Sequence, residues 1–403
     1  MEPHYQYVSK LCRGKNLIVI QDTTQLNYEH HSGLIDPEEL GLLGDNKSRG
    51  LHVHPCLVMD ADQNNLVLGY SHFKIHNRSR EIGNKHERIF RNQPLEEKES
   101  YRWVEEALSS KQNLADARSV IFVSDRESDM YAIWSQVPDH KTHLVIRARS
   151  RRAFELENEE GEIIKTSTLQ TILGYAEVKI KGGIGKKDKA RTAKVEIKGN
   201  RVEICKRKTL KSNTGLHFAK KIALYAVEVT EIVPEGTKIE EPLHWMLLTD
   251  MAVEDLSQAL SIISIYKSRW NIEQLFRLVK QKGFRLEDSQ LETARALQNL
   301  IAMVFIAASR VLQFVKGREL EDVDAEDFFT PIQKEVLEKS IPMLEGKTDR
   351  SKNKYKPHSL AYYIWVIARM GSWKPEDRDP PGPITMLRGW KHLHFTIKGY
   401  LLK

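Results

Sequence analysis

Two short apolar runs, each followed at once by an aspartate, constrain the fold of this chain most strongly. Residues 17–21 (LIVIQ) lead into Asp22, and residues 120–124 (VIFVS) lead into Asp125. Aliphatic and β-branched runs of this length are typical of strands buried on both faces. A carboxylate at the end of such a strand is a recurrent site position in α/β folds, because neighbouring strand ends share one crevice. We therefore interpret Asp22 and Asp125 as parts of one site rather than as two separate turn formers.

A third acid, Glu273, lies in the segment YKSRWNIEQLFRLVK. Together with Tyr266, Arg269 and Lys280 it forms the spacing Y-x2-R-x3-E-x6-K. At the period of an α-helix these four residues fall on one stripe. Alone, such a stripe is more typical of a solvated charged face with i,i+4 pairs. Beside two strand-end aspartates, it supplies the third carboxylate of a constellation.

Three carboxylates and nearby cations indicate phosphodiester chemistry. Mg²⁺ prefers oxygen ligands and is held by few protein groups plus substrate phosphate. Three acids can bind two such ions about 3.5 to 4 Å apart, one activating water or a 3′-hydroxyl and the other stabilising the leaving oxygen. Arg269 and Lys280 would then hold phosphates of the substrate.

The chain resembles the bacterial cut-and-paste DDE transposases of the insertion sequence 4 family, which includes the transposon five transposase. The Y-R-E-K signature carries this resemblance, and segments in family order extend it over nearly the whole chain: QDTTQLNYEHH around Asp22, NKSRG at 46–50, DRESD at 125–129, PLHWMLLTD at 242–250 and SLAYYIWVIARMG at 359–371. The resemblance implies that Asp22, Asp125 and Glu273 are the catalytic, metal-binding triad of a ribonuclease H-like domain. It implies two Mg²⁺ ions, for which Mn²⁺ would substitute.

The same resemblance implies contacts with double-stranded DNA, both transposon ends and target. Tyr266, Arg269 and Lys280 would hold phosphates near a base that is flipped out of the transposon end. Trp245 would stack on that base, although its apolar surroundings are also those of a core tryptophan. Further DNA-binding candidates are Trp270, Arg277 and Arg147.

The order of local patterns predicts an α/β fold, with a mixed sheet covered by helices in ribonuclease H-like order. The predicted elements are strand 17–21, a hairpin of 51–61 and 66–75, helix 97–110, strand 119–124, helix 127–137 and strand 142–148. This catalytic domain covers residues 1–149 and resumes at 249–345 with the Glu273 helix. A β-rich insertion covers 150–248, with short segments at 193–198, 201–206 and 222–229.

Residues 346–403 are predicted to form a C-terminal helical dimerisation region. After a breaker-containing stretch at 346–357, apolar residues from Ile384 to Leu401 recur every three or four positions, as in an amphipathic helix. Such a helix ordinarily packs on its own domain. In the family, C-terminal helices of this kind pair two subunits across the synapsed ends, so we expect a homodimer on DNA.

Composition is compatible with this interpretation. The net charge of +7 favours a polyanionic partner, and three cysteines are too few for a disulfide framework. The longest apolar stretch, 300–308, is too short to span a bilayer and reads as a buried helix. We expect no membrane partner and a cytoplasmic, nucleoid-associated bacterial protein. The motif His52-x-His54-x-Cys56 has no second ligand pair nearby in sequence, so we do not predict a zinc site from it.

The predicted function is a Mg²⁺-dependent transposase that cuts transposon ends through a hairpin intermediate and joins them to target DNA. One feature departs from the family: only 21 residues precede Asp22, whereas family members carry a helical end-recognition domain there. Two alternatives therefore stay open. The chain is a dimerising regulator of transposition that lacks end recognition, or a ribonuclease H-like nuclease without strand transfer.

Overall fold

The computed structural model describes every residue except 32, 34, 79–92, 151, 158–159, 181–190, 209, 215–216, 238, 240, 377–378 and 403. The strands in the described residues are β1 Asn16–Gln21, β2 Thr24–Asn27, β3 Gly50–Asp60, β4 Leu66–His76, β5 Ser119–Ser124, β6 Thr142–Arg147, β7 Phe154–Glu157, β8 Ile163–Thr166, β9 Ile172–Ile180, β10 Arg191–Cys205, β11 Lys221–Glu231 and β12 His244–Thr249. The α-helices there are α1 Glu2–Cys12, α2 Pro37–Leu40, α3 Arg102–Asn113, α4 Tyr131–Gln136, α5 Leu256–Lys267, α6 Trp270–Arg277, α7 Ala294–Gly317, α8 Pro331–Leu344, α9 Leu360–Met370 and α10 Pro383–Leu401.

A mixed sheet joins these strands and places the two aspartates. Strand β1 is antiparallel to β3, which is antiparallel to β4, and on its other side β1 is parallel to β5, which is parallel to β6. This order of three antiparallel and two parallel strands, covered by helices, is compatible with a ribonuclease H-like domain. The α/β class and mixed sheet predicted from the sequence are therefore confirmed.

The β-rich segment continues the same sheet. Strand β12 is antiparallel to β6, with Leu248 opposite Ile146, and β11, β10 and β9 follow in antiparallel order. The segments predicted at 193–198 and 201–206 are wrong as separate strands, because β10 runs unbroken through Gly199. A Cβ at Gly199 would lie 2.4 Å from a methyl group of Leu173, so this glycine permits close packing within a strand rather than a turn.

Two helix boundaries differ from their prediction. The helix predicted at 97–110 starts as two 3₁₀ turns, Leu95–Glu97 and Glu99–Tyr101, before α3 begins. The helix predicted at 127–137 begins only with α4. The preceding loop is held by the buried carboxylate of Asp129, which pairs with Arg152 at 3.1 Å and accepts a hydrogen bond from the backbone of Arg149 at 2.9 Å. Because the Asp129 carboxylate binds these two partners, it does not cap a helix at this point, and the segment stays a loop.

Helix α7 forms the centre of the helical layer over β4. Phe305 is fully buried, lies 5.0 Å from the ring of Phe73 and accepts a hydrogen bond on its carbonyl from Tyr70. Among the described helices, α7 alone is long and apolar enough to cross a membrane by length and composition, and 56% of its apolar window is buried inside the protein. The prediction of a buried helix over 300–308 is confirmed.

Candidate active site

The register of two parallel strands aligns Asp22 with Asp125. Asn16 lies opposite Ser119, and Ile20 lies opposite Val123. Continuing this alignment by two residues along each strand brings Asp22 opposite Asp125. Adjacent strands of a sheet are about 4.8 Å apart, so the two carboxylates leave the sheet at the same edge, as the sequence predicts.

Burial and neighbouring charge set the protonation of Asp22. Its side chain is only 20% exposed. Burial raises the pKa of the Asp22 carboxyl to about 7, Arg269 opposes this shift, and the Asp125 carboxylate adds to it. The backbone N–H of Thr23 donates to Asp22 Oδ1 at 2.8 Å and stabilises the charged form. Two partly buried acids that repel one another form a place where a cation is favourable.

Arg269 connects Asp22 to the third acid. Its Nη1 donates to Asp22 Oδ2 at 3.0 Å, and its Nη2 donates to Glu273 Oε1. The guanidinium thus bridges a strand end to a helix 247 residues further along the chain. Charge-assisted bonds of this kind are stronger than neutral ones and fix orientation as well.

The prediction that one continuous helix carries Tyr266 to Lys280 is wrong. Helix α5 ends at Lys267 and α6 begins at Trp270, and the residues between them make tighter i to i−3 bonds, such as Arg269 N–H to Tyr266 O at 3.0 Å. The side chains of Ser268 and Asn271 occupy carbonyls at this point, which is a known cause of helix distortion. Directly after α6, the chain forms a π-helical turn, Leu278–Lys282.

Tyr266 and Trp245 contact one another beside the acids. The Tyr266 ring is 5% exposed and meets the Trp245 ring edge to face, with centroids 5.4 Å apart. Burial raises the pKa of Tyr266, while the guanidinium groups of Arg269 and Arg147 oppose the shift. Arg147 also donates to the carbonyl of His244 at 2.9 Å. Trp245 itself is half-buried. It is neither a fully buried core residue nor a fully exposed surface for base stacking.

Three candidates lie outside this cluster. Lys280 donates to the carbonyl of Gln25 in β2 at 2.6 Å and pairs with Glu287 at 3.5 Å. Trp270 is 40% exposed on α6, and Arg277 is exposed about two turns further on. Lys280 therefore contacts strand β2, which follows Asp22 in the chain.

The family model of the transposase DDE domain matches residues 106–310, just over half of the chain. The chain belongs to the transposase DDE domain family. The matched span includes Asp125 and Glu273 and begins after Asp22. Membership identifies a transposase, hence an enzyme that acts on DNA, and domains of this family use divalent metal ions. It does not reach the finer assignment to the insertion sequence 4 family.

The donor set at the candidate site of this transposase fits a hard divalent cation. All three acids offer carboxylate oxygens, and Asp22 and Asp125 already repel one another. In the part of the chain that the structure describes, the oxygens of the three acids do not all come within 4.8 Å of one another. The guanidinium of Arg269 lies between two of them instead.

A polar network behind the two transposase aspartates was not anticipated from the sequence. Thr23 Oγ1 lies 2.7 Å from His54 Nδ1 and accepts a hydrogen bond from Arg102 Nε at 3.2 Å. Arg102 also pairs at 3.3 Å with Glu127, whose backbone N–H donates to Asp125 Oδ1 at 2.9 Å. Arg102 thereby ties the loop after β1 to the loop after β5. No local pattern marks it, because only the strand pairing brings the two loops to the start of α3.

Proposed function

We propose that this transposase cuts the ends of a bacterial insertion sequence and joins them to target DNA, with Asp22, Asp125 and Glu273 as its catalytic residues and metal ligands. The observation that supports this most is the Arg269 bridge between Asp22 and Glu273. It brings the helical acid to the sheet edge that both aspartates share. We propose Mg²⁺ as the ion, two per site, with Mn²⁺ as a substitute.

Bound Mg²⁺ would supply Lewis-acid activation of the attacking oxygen and stabilisation of the leaving oxygen. The protein's own groups would do the rest. Arg269 donates one nitrogen to each of two carboxylates here, and a DNA phosphate would accept hydrogen bonds from both nitrogens at once. As Arg269 turns to the phosphate, it would leave the acids free to hold cations.

Tyr266, Trp245 and Arg147 would receive the DNA end in the hairpin step. A base flipped from the duplex loses its stacking, which costs a few kcal/mol, and an aromatic face offsets part of that cost. Trp245 is half-buried and contacts Tyr266, and we propose that its exposed part stacks on such a base. Trp270, Lys280 and Arg277 would extend contacts along the DNA backbone.

A homodimer would bring the two ends together. On α10, Met386, Leu387 and Leu393 are buried against the chain's own helices. Phe395 and Leu401 stay 70% and 68% exposed. An amphipathic helix that buries one face internally and leaves large apolar groups outside supports pairing with a second copy.

The test is a cleavage and joining assay on a linear duplex carrying the element's own ends, with Mg²⁺. We expect Glu273→Gln to lower cleavage by at least about a thousandfold, because several kcal/mol of metal-dependent stabilisation would be lost. DNA binding should stay measurable. The matched control is Glu292→Gln, an exposed acid in the loop after α6, which should cleave as the unmodified protein does.

The products of this assay separate the possible activities. Joined products support the transposase with strand transfer, whereas nicks alone contradict the joining step. Wild-type cleavage by Glu273→Gln would contradict the assignment of the triad.

A further inference from the structure

A second group of metal-ligating side chains lies on the hairpin of β3 and β4. His52 is directly opposite His76 in the strand register. Glu99 comes to the same place from the 3₁₀ turn Glu99–Tyr101. The ligand atoms of His52, His76 and Glu99 all lie within 4.8 Å of one another, and within the described part of the chain this is the one group of three or more that does so.

His76 is half-buried, and its ring nitrogens are unused. Both nitrogens are buried, and neither has a hydrogen-bond partner among the residues that the structure describes. Buried polar atoms in native proteins are almost always paired, and an orphan points to an absent water or ion.

His52 is oriented as metal-binding histidines are. Its Nε2 lies 3.1 Å from the carbonyl oxygen of Leu42. A carbonyl only accepts, so Nε2 carries the hydrogen and Nδ1 carries the lone pair. A ligating histidine ordinarily donates its second N–H to a carbonyl or carboxylate in this way.

The two histidine rings stack on one another. Their centroids are 5.1 Å apart, with planes inclined by 23°. An imidazole nitrogen binds an ion that lies in the plane of its own ring, so at least one ring has to rotate about its side-chain bonds for the two to share an ion.

Glu99 supplies a carboxylate and is itself supported by arginines. Arg102 Nη1 lies 3.4 Å from one oxygen of Glu99, and Arg78 Nε lies 3.8 Å from the other. Hydrogen-bonded carboxylates are common as metal ligands. The positive charge of Arg102 is shared with Glu127, but Arg78 remains close. Repulsion from these arginines makes the expected affinity weaker than that of an all-thiolate zinc site.

We propose that His52, His76 and Glu99 form a separate transition-metal site, which takes a borderline cation of the Zn²⁺ class, with solvent as the remaining ligand. Two imidazoles and one carboxylate select such a cation, whereas the three acids of the active site offer only hard oxygen donors. The ion joins the β3/β4 hairpin to the turn that starts α3, and so fixes the position of Arg102 beside Thr23. Its role is structural, and it does not depend on the proposed catalytic function.

The test measures Co²⁺ and Zn²⁺ binding to the full chain carrying Asp22→Asn and Glu273→Gln, so that the active-site acids do not contribute. We expect one equivalent of Co²⁺ with the intense visible absorption of a four-coordinate ion, displaced by Zn²⁺. His76→Gln should weaken binding at least about a hundredfold and Glu99→Gln about tenfold, as loss of a ligand implies. The exposed His30→Gln is the matched control and should bind normally.

Glu99 is exposed, so Glu99→Gln keeps the test valid if His76→Gln fails to fold. Zn²⁺ should also raise the melting temperature of the parent chain, because a ligand of the folded state alone stabilises it by mass action. That rise should shrink in Glu99→Gln. Failure of the parent to bind Co²⁺ or Zn²⁺, or equal binding by the parent and Glu99→Gln, would overturn the proposal. Cleavage activity is not part of either readout, so the proposed function stands or falls separately.

Discussion

Arg269 binds two carboxylates that a metal cation would also bind. Its guanidinium donates to Asp22 and to Glu273 at the same time. An arginine fork matches carboxylates and phosphates equally well, which lysine does not. In the proposed function, DNA binding and metal binding would be coupled through this side chain, because a phosphate would draw Arg269 away from the two acids and a metal ion would displace it from them.

Replacing Arg269 separates these two effects. In Arg269→Gln, the acids lose their competing cation, so we expect divalent-ion affinity without DNA to rise about tenfold, or about 1.4 kcal/mol. DNA cleavage should fall, because the phosphate contact is lost. Isothermal titration with Mn²⁺ measures the first effect. Unchanged Mn²⁺ affinity would show that Arg269 does not compete with the ion.

If Asp22 binds the metal as proposed, the metal affinity should depend on pH near neutrality. Burial raises its pKa to about 7, so below that pH the carboxyl holds a proton that an incoming cation must displace. Affinity should therefore rise with pH up to the pKa and level off above it, by up to about tenfold per unit on the acidic side. Mn²⁺ titrations from about pH 5.5 to 8.5 measure this. A flat profile would indicate that Asp22 is ionised throughout or does not bind the metal.

At the scale of elements, α6 is the helix that carries Glu273 to the sheet. Its inner face consists of Ile272 and Leu275, both fully buried. The short helix is held by this packing, because eight residues alone form no stable helix in water. The position of Glu273 thus depends on apolar contacts made by its neighbours in the same helix.

Truncating Leu275 tests this dependence. Leu275→Ala should destabilise the fold by about 2 to 5 kcal/mol, the usual range for a buried leucine, and lower cleavage at temperatures where the protein is still folded. Leu291→Ala, at a 37% exposed position, should cost far less. Urea unfolding followed by circular dichroism gives both values. Equal losses in the two variants would contradict the anchoring role of Leu275.

Elements with a local signal were predictable, and those set by tertiary contacts were not. Strands β1 and β5 were predicted from their apolar runs, because a strand buried on both faces needs apolar residues at consecutive positions. The break at Ser268 depends on side-chain bonds within the turn, which spacing alone cannot reveal. Gly199 reads as a turn residue in sequence, yet packing against Leu173 keeps it inside a strand.

The pairing of His52 with His76 shows the same limit. Asp60 lies opposite Leu66 at the turn, so an unbroken register would put Lys74 opposite His52, each eight residues away. Two bulges, between Cys56 and Leu57 and between Val58 and Met59, move the register by two residues. Bulges have no firm sequence signature in a fully buried strand. The metal-ligating pair was therefore invisible before the fold was known.

At the scale of the whole molecule, the sheet positions the acids, and the helical layer carries the proposed dimer contact. The two aspartates lie where strands β1 and β5 end. The β-rich segment at 150–248 is rich in lysine and arginine, although residues 181–190 of that segment lie outside the described residues. The helical layer ends in α10, whose outer apolar residues have no cover within the chain's described part. A second copy would cover them when two ends are paired.

A charge on α10 tests pairing without touching the active site. Phe395→Asp should leave the fold intact, because the side chain is 70% exposed, and should reduce paired-end complexes while single-end binding persists. Ile163→Asp, at a 62% exposed site on β8, is the matched control. Analytical ultracentrifugation with end DNA distinguishes the two complexes. Full pairing by Phe395→Asp would place the dimer contact elsewhere.

The most direct test of the central claim is to locate the metal ions themselves. Crystals of the protein with an end duplex and Mn²⁺ would show the ions by anomalous scattering. We predict peaks within about 2.0 to 2.5 Å of oxygens from Asp22, Asp125 and Glu273, with Arg269 turned to a phosphate. Peaks that avoid any of these three carboxylates, or an Arg269 still bridging Asp22 and Glu273 beside bound DNA, would contradict it.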